Sequence, residues 1–206
     1  MKKIIARGAE AIISLSKNKI IKNRIPKSYR HQDLDKKLRT RRTKAEEKLL
    51  KKSSQLIPVP KLIPSQKPLQ PTKSDFTITM QFIKGKNLSN NLENLPFKEI
   101  CKQIGRNLSI LHDAGIIHGD LTTSNMIYSK NKLYFIDFGL GFHSNKIEDK
   151  AVDLHLISQA IKAKHNTIYK EAFSQILKGY KKSAHFEQVL ERLKKVEKRG
   201  RYKQQY

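Results

Sequence analysis

The stretch "IIHGDLTTSNMIY" at residues 116–128 sets an acid, Asp120, and an amide, Asn125, five residues apart, and a second acid, Asp137, follows in "FIDFG". Phosphoryl transfer passes through a loose transition state, so a protein supplies positioning and charge neutralisation more than covalent chemistry. Such a site needs a carboxylate to orient or deprotonate the attacking hydroxyl or water, and hard oxygen ligands for Mg2+ on a triphosphate. Asp120 suits the first role; Asn125 and Asp137 suit the second. Ordinary turn formers would account for each residue singly, but here order, spacing and flanking short apolar runs agree together. His118 reads as support for the loop by packing rather than as the proton acceptor.

Protein kinases carry this set as H-R-D-L-x-x-x-N and D-F-G, with a strand lysine paired to a helix glutamate. "HGDLTTSN" keeps the pattern except for the arginine, whose place Gly119 takes. In "KIIKNR", Lys22 follows two β-branched residues and would neutralise phosphate charge on ATP; Lys19 is the competing choice. Glu46, in "RTKAEEKLL", is the matching helix acid, whereas Glu47 would point about 100° away on a regular helix. In so charged a chain, a solvated lysine–glutamate pair is the ordinary alternative. "RGAEAI" stands where a Gly-rich loop belongs but has one glycine, Gly8, so backbone cradling of phosphates must be less extensive and Glu10 is open to a special role. Asp153, in "EDKAVDLHLI", either reaches back to the backbone of the catalytic loop or is an exposed helix charge. Only about a dozen residues separate Gly139 from Asp153, and no A-P-E follows. Without that span, and without an arginine beside Asp120 to read a phosphate, switching by loop phosphorylation is not expected.

These residues need elements to hold them. Residues 4–25 alternate apolar pairs with charged or small residues, the pattern of two or three strands joined by tight turns. From Ser28 to Lys52 there is no Gly or Pro, and Leu34, Leu38, Ala45, Leu49 and Leu50 recur as one helical face, in one long basic helix or in two broken near Thr40–Thr43. Prolines at 58, 60, 64, 68 and 71 exclude helix and lead into "FTITMQF", where Phe76, Ile78, Met80 and Phe82 alternate with polar residues as in a half-buried strand. Gly85 follows as a hinge. Pro96 opens a helix whose apolar face is Ile100, Ile104, Leu108 and Leu111 and which stops at Gly115. "MIY" and "KLYFID" are strands around the turn "SKNK". Helices around 148–164, 166–182 and 184–198 end the chain, with Gly179 and Gly200 as breakers. The expected fold is α+β: a minimal bilobal kinase-like fold, with a small β-rich N-lobe over residues 1–83 and a mainly helical, shortened C-lobe over 84–206.

The 206 residues carry a formal charge of +25, distributed as +15 over residues 1–75, +3 over 76–177 and +7 over 178–206. A near-neutral motif region between basic ends suits phosphate-rich partners, nucleic acid above all, better than uniform solvation does. Cys101 is the only cysteine, which excludes an internal disulfide and a cysteine-based zinc site. "MKKIIARGAEAIISL" begins like a signal peptide, but Arg7 and Glu10 interrupt it, and no apolar run approaches 18 residues, so a cytoplasmic protein without a membrane span is expected.

Four stretches, "RGAEAII", "IIKNRIPKSYRHQDLDKKLRTRRTKAEEKLL", "HGDLTTSNMI" and "IDFGLGFHSNKIEDKAVDLHLI", together with the C-terminal "KRGR", resemble the small atypical kinase/ATPase subunit of the KEOPS complex, the PRPK type. The likeness covers nearly the whole chain and rests on the Tyr-Arg-His and Arg-Thr helix signature as well as on the kinase motifs; the short chain looks like an archaeal stand-alone form. It implies an ATPase and serine/threonine kinase that uses ATP with Mg2+ and supports threonylcarbamoyladenosine formation in tRNA beside the threonylcarbamoyltransferase subunit and other KEOPS subunits. By that resemblance Lys22 and Asp120 are catalytic and Asn125 and Asp137 hold metal. Nucleotide binding falls to Arg7, Gly8, Ala9, Glu10, Ala11, Lys22, Glu46, Gln81 and Ile83. The tail "RLKKVEKRGRYKQQY" is then a tRNA contact, with Tyr202 and Tyr206 for stacking, or a frayed solvated terminus. The competing readings are a RIO-type ribosome-assembly kinase, a small-molecule kinase, for which the residues after Gly141 leave little room, and a non-catalytic tRNA-binding scaffold.

Overall fold

A computed structural model describes residues 2–64 and 76–202. Three strands, β1 (Lys3–Arg7), β2 (Ala11–Ser16) and β3 (Lys19–Arg24), run antiparallel, and β4 (Thr77–Gln81) joins the far side of β3, giving the order β1-β2-β3-β4. Lys17 and Asn18 both take positive φ in the two-residue turn between β2 and β3, a geometry whose twist matches the strands it joins. Ile78 and Met80 of β4 face the core, as their alternation foretells, while Phe76 lies just outside the strand beneath the Arg39 guanidinium. After Pro58 and Pro60 the chain runs along β4, where the Ile63 N–H donates to the Thr79 carbonyl. Pro68 and Pro71 fall outside the described residues.

One unbroken helix, α1 (Gln32–Ser53), settles the choice between one helix and two. Its inward face is the expected one only at Leu49 and Leu50. Leu34 and Ala45 are exposed and Leu38 is half-buried, whereas Asp35, Thr43, Glu46, Leu49, Leu50 and Ser53 are buried. The reason lies in what each position meets: Glu46 faces the buried cations Lys22 and Arg24 of β3, Asp35 pairs with Arg30 and Arg39, and leucines turn inward only at the C-terminal end. Apolar periodicity assumes an apolar partner, and opposite Glu46 the strand β3 supplies Lys22 and Arg24 instead.

The second half begins with β5 (Lys86–Asn87) and the short α2 (Leu88–Asn91), capped by the Asn87 side chain, which accepts from the Ser89 N–H. The helix α3 (Phe97–Asp113) buries Ile100, Ile104, Leu108 and Leu111 completely. Burial also pushes the Cys101 thiol up to about 12, so it is inert packing. Next come β6 (Ile116–Ile117), β7 (Met126–Ser129), β8 (Lys132–Phe135) and β9 (Phe142–His143); β5, β7 and β8 form one sheet, and β6 pairs with β9. Helices α4 (Ile147–Lys164), α5 (Tyr169–Tyr180) and α6 (Phe186–Tyr202) complete the helical lobe.

Neither Gly179 nor Gly200 ends a helix, contrary to expectation: they lie within α5 and α6. Gly179 serves packing. A Cβ there would lie 2.1 Å from the Lys102 carbonyl oxygen, and one on Gly105 would lie 1.9 Å from that of Ile176. The paired glycines let α3 and α5 pack backbone to backbone. At the other end of the lobe, Val189 and Leu193 bury α6 against the core, and Arg192 and Arg199 both bridge to Glu148 of α4. The segment to residue 199 is therefore a docked helix, not a frayed end. A single buried cluster runs from Leu49, Leu50 and Ile78 through Leu121, Phe135 and Phe138 to Leu108, Ile157, Ile176 and Leu193. Among the described residues no helix is long and apolar enough to cross a membrane.

Candidate active site

Alternate residues of a strand share a face, and on β3 that puts Lys22 and Arg24 side by side, both buried, toward α1. Between them and the helix sits the fully buried carboxylate of Glu46. Its Oε1 accepts from Lys22 Nζ at 2.8 Å and its Oε2 from Arg24 Nη2 at 2.5 Å. Lys22 Nζ reaches on to Asp137 Oδ1 at 2.6 Å. Lys19 instead lies exposed at the start of β3, opposite Gln81, and Glu47 faces outward among Lys44, Lys48 and Lys51. The geometry thus resolves both sequence choices for Lys22 and Glu46. Arg24 was not singled out by its sequence; the available signal was its position two residues beyond Lys22.

Asp137 is held at φ +63°, a left-handed conformation that costs a non-glycine residue energy and persists only where its surroundings enforce it. Burial opposes its ionisation, but the Lys22 charge, the Lys22 hydrogen bond and the Gly139 N–H, 3.0 Å from Oδ1, outweigh that and hold the carboxyl below its usual range. It is a carboxylate at neutral pH.

Opposite it, the turn at Thr123–Asn125 presents Asn125, whose Nδ2 donates to Asp120 at both the backbone oxygen, 2.8 Å, and Oδ2, 2.9 Å. With its nitrogen so committed, the Asn125 amide has its oxygen left to offer a cation. Asp120 and Asn125 are also tied to the strand before Asp137, because the Ile136 N–H donates to the Asn125 carbonyl at 2.9 Å.

The loop is supported from below. Asp153 of α4, fully buried, accepts from the His118 N–H at 2.7 Å and the Gly119 N–H at 2.9 Å, so its role is loop support and not surface charge. Its Oδ2 also meets His112 Nε2 at 3.3 Å, and His112 Nδ1 meets the Tyr180 hydroxyl at 2.8 Å. His112 and Tyr180 carry no local signature; only the folded packing of α3 on α4 and α5 joins them to the site. His118 packs its ring 4.7 Å from that of Phe138 and bonds the Ile136 carbonyl through Nε2. Complete burial lowers its basicity despite the nearby Asp153, Asp137 and Asp120, so the ring is neutral packing, as its sequence position suggests.

Gly119 has a structural reason of its own. Its φ is +76°, and a Cβ there would lie 2.4 Å from the Leu140 carbonyl oxygen. The chain after Asp137 folds straight back under the catalytic loop and takes the space a side chain would need.

Residues 8–10 form the turn between β1 and β2, flanked by Arg7 and Ala11. Arg7 and Ala9 are exposed, Gly8 N–H donates to the Ala11 carbonyl at 2.9 Å, and Ala11 is buried. Glu10 turns to α1, pairing with Arg42 at 2.7 Å and Arg30 at 3.8 Å, while Lys27 Nζ bonds the Ala9 carbonyl. Gln81, exposed, and Ile83, buried, end β4. None of these seven residues is hydrogen-bonded to the Lys22–Asp137 or Asp120–Asn125 groups among the described residues. In capability the centre is a lysine Nζ bonded to two carboxylates, with the Asp120–Asn125 pair tied by a backbone bond to the residue before Asp137, an arrangement for holding and orienting a polyphosphate.

Residues 2–155 match the protein kinase domain family. Over 98% of its length the chain is 37% identical to the KEOPS complex subunit Bud32 of Pyrococcus abyssi, covering 97% of that protein. It is 42% identical to the EKC/KEOPS complex subunit BUD32 of Enterocytozoon bieneusi, with 96% of this chain and 98% of that one covered. It is also 40% identical, over 97% of its length, to 36% of a probable bifunctional tRNA threonylcarbamoyladenosine biosynthesis protein of Methanobrevibacter smithii. Among solved structures, the Rio2 kinase of Chaetomium thermophilum in its ADP/Mg2+-phosphoaspartate complex superposes with a TM-score of 0.61 at 15% identity, over 98% of this chain and 72% of that one. WaaP in complex with acyl carrier protein gives 0.64 at 11%, over 98% and 88%. These two likenesses are of fold alone.

Proposed function

Because the chain belongs to the Bud32 family of protein kinases, we propose that it is an ATP-dependent atypical serine/threonine kinase. In this reading it acts mainly as an ATPase within a KEOPS complex, in support of threonylcarbamoyladenosine modification of tRNA. The observation that carries the proposal is the Lys22 bridge between Glu46 and Asp137, with the Asp120–Asn125 pair bonded through the Asn125 carbonyl to the residue before Asp137. Lys22 binds phosphate oxygens, Glu46 orients Lys22, and Asp120 holds the attacking hydroxyl or water and takes its proton. The segment Arg7–Ala11 covers the phosphates, and Gln81 and Ile83 border the base. The lobe boundary falls after Ile83.

Asp137 and Asn125 would hold Mg2+. The fit is chemical: an ionised carboxylate and a free amide oxygen are hard donors, and Mg2+ is commonly bound by one or two protein oxygens together with substrate phosphates. The ion when bound neutralises charge on the transferring phosphoryl group.

The partners are the threonylcarbamoyltransferase and other KEOPS subunits, and tRNA along the basic surface and tail, in the cytoplasm. Side chains from residue 200 on, with Tyr202 and Tyr206, lie outside the described residues, so the stacking role rests on sequence alone. The relatives' names favour this reading over a RIO-type, small-molecule or scaffold role. The test is ATP turnover with tRNA and partner subunits present: it rises on their addition and falls by orders of magnitude in Asp137→Ala.

A further inference from the structure

Two carboxylates in the centre compete for one lysine. Lys22 Nζ lies 2.8 Å from Glu46 and 2.6 Å from Asp137, yet a lysine that serves a nucleotide must leave one of these partners for phosphate oxygens. Asp137, part-exposed at 42%, is rehydrated easily when Lys22 departs, but Glu46 is fully enclosed and a buried carboxylate is costly to leave without a counter-charge. Arg24 resolves the conflict. Its Nη2 holds the second oxygen of Glu46 at 2.5 Å, its side chain is 4% exposed, and a Cβ on Gly139 would lie 3.4 Å from the same Nη2, so the guanidinium is wedged between α1, β3 and the loop that follows Asp137. Its Nε is buried with no partner, which means packing and the Glu46 charge hold the group there rather than a complete set of hydrogen bonds.

We propose that Arg24 is a positioning residue of the phosphotransfer site. It is the permanent counter-ion of Glu46, keeping α1 docked and leaving Lys22 free to pass between Asp137 and the phosphates of a nucleotide. The cluster carries two cations and two carboxylates and is balanced as it stands. Without Arg24 it would hold one lysine between two negative charges, either clamping Lys22 away from phosphate or driving Glu46 and its helix outward. In kinases with an activation segment, phosphorylation controls the position of this helix. Here, where Gly119 replaces the reading arginine, the same docking is built into β3.

The inference rests on the phosphotransfer reading, and its test separates the two. In the full-length chain, ATP binding, steady-state turnover and thermal stability are measured for Arg24→Gln, Arg24→Lys, Glu46→Gln and the Arg24→Gln/Glu46→Gln double variant, with Lys22→Ala as control. Arg24→Gln should raise KM for ATP about tenfold or more with a smaller change in kcat, and lower the melting temperature. Arg24→Lys should stay within about threefold of wild type. The distinguishing result is rescue: neutralising Glu46 in the Arg24→Gln background removes the unpaired charge, so the double variant should be more stable and bind ATP more tightly than Arg24→Gln alone. If Arg24→Gln does not fold, the double variant should. Additive losses, an unchanged KM in Arg24→Gln, or Arg24→Lys as damaging as Arg24→Gln would each overturn the proposal. Normal ATP binding by Lys22→Ala would instead overturn the phosphotransfer reading itself.

Discussion

Replacing Gly119 by alanine isolates the cost of a side chain at the position where other kinases carry arginine. The backbone there has φ +76°, in the left-handed region that costs a residue with a Cβ about 1–2 kcal/mol. The added carbon would lie 2.4 Å from the Leu140 carbonyl oxygen, a backbone atom that moves only if the segment Leu140–Gly141 moves, and overpacking of this kind costs about 1–3 kcal/mol. The two together come to about 2–5 kcal/mol. For a chain of this size each kcal/mol lowers the melting temperature by roughly 2–4 °C, so a mid-range loss of about 3 kcal/mol corresponds to roughly 6–12 °C. Thermal and urea unfolding of Gly119→Ala read this directly, and ATP turnover should fall as well because Asp120 is the next residue. Gly119→Arg should be no better, since its guanidinium cannot relieve a clash at Cβ. A stability within about 0.5 kcal/mol of wild type, the usual range for a surface change, would mean that the Leu140 backbone yields to the added carbon and that Gly119 is only a lost arginine.

Gly179→Ala should destabilise by about 1–3 kcal/mol even though alanine is the better helix former, because the new methyl meets the Lys102 carbonyl at 2.1 Å; a gain in stability on urea unfolding would contradict the close packing of α3 and α5. His118 supplies a pH dependence. Burial holds its folded value below the ordinary 6.5, so between the two values the unfolded chain binds the extra proton. Its contribution to stability is complete above about 6.5 and declines as pH falls below it. Unfolding measured from pH 7.5 to 5 should therefore show a shallower decline in His118→Gln than in wild type, and parallel profiles would count against a buried neutral imidazole.

Much of the site could be read from the chain because its parts are local. Asp120, Asn125 and Asp137 sit within one short span, and Ile78, Met80, Ile100, Ile104, Leu108 and Leu111 follow simple periods against apolar neighbours. What escaped reading depends on the partner rather than on the segment. The inner face of α1 is polar before Leu49 because Glu46 meets Lys22 and Arg24 of β3 and Asp35 meets Arg30 and Arg39, while Leu34 and Ala45, which fit an apolar stripe, face solvent. Gly179 reads as a helix breaker but is a contact point, a role fixed by Lys102, 77 positions away. Asp153 is ambiguous alone and unambiguous once the N–H groups of His118 and Gly119 are seen to converge on it. Arg24 belongs to the same class: its neighbour in β3 is legible, its carboxylate partner lies 22 residues on, and only the folded cluster shows that Glu46 has two cations.

In the proposed function, the Lys22–Asp137 and Asp120–Asn125 groups form a working phosphotransfer centre. Its most direct test is the initial rate of phosphate release from ATP in the presence of Mg2+, compared between the wild-type chain and Asp137→Ala at matched folded fraction. Measurable turnover is expected in the first and a loss of at least about a hundredfold in the second, in line with the removal of a principal charge-stabilising group from an active site. Equal rates in the two proteins would contradict it.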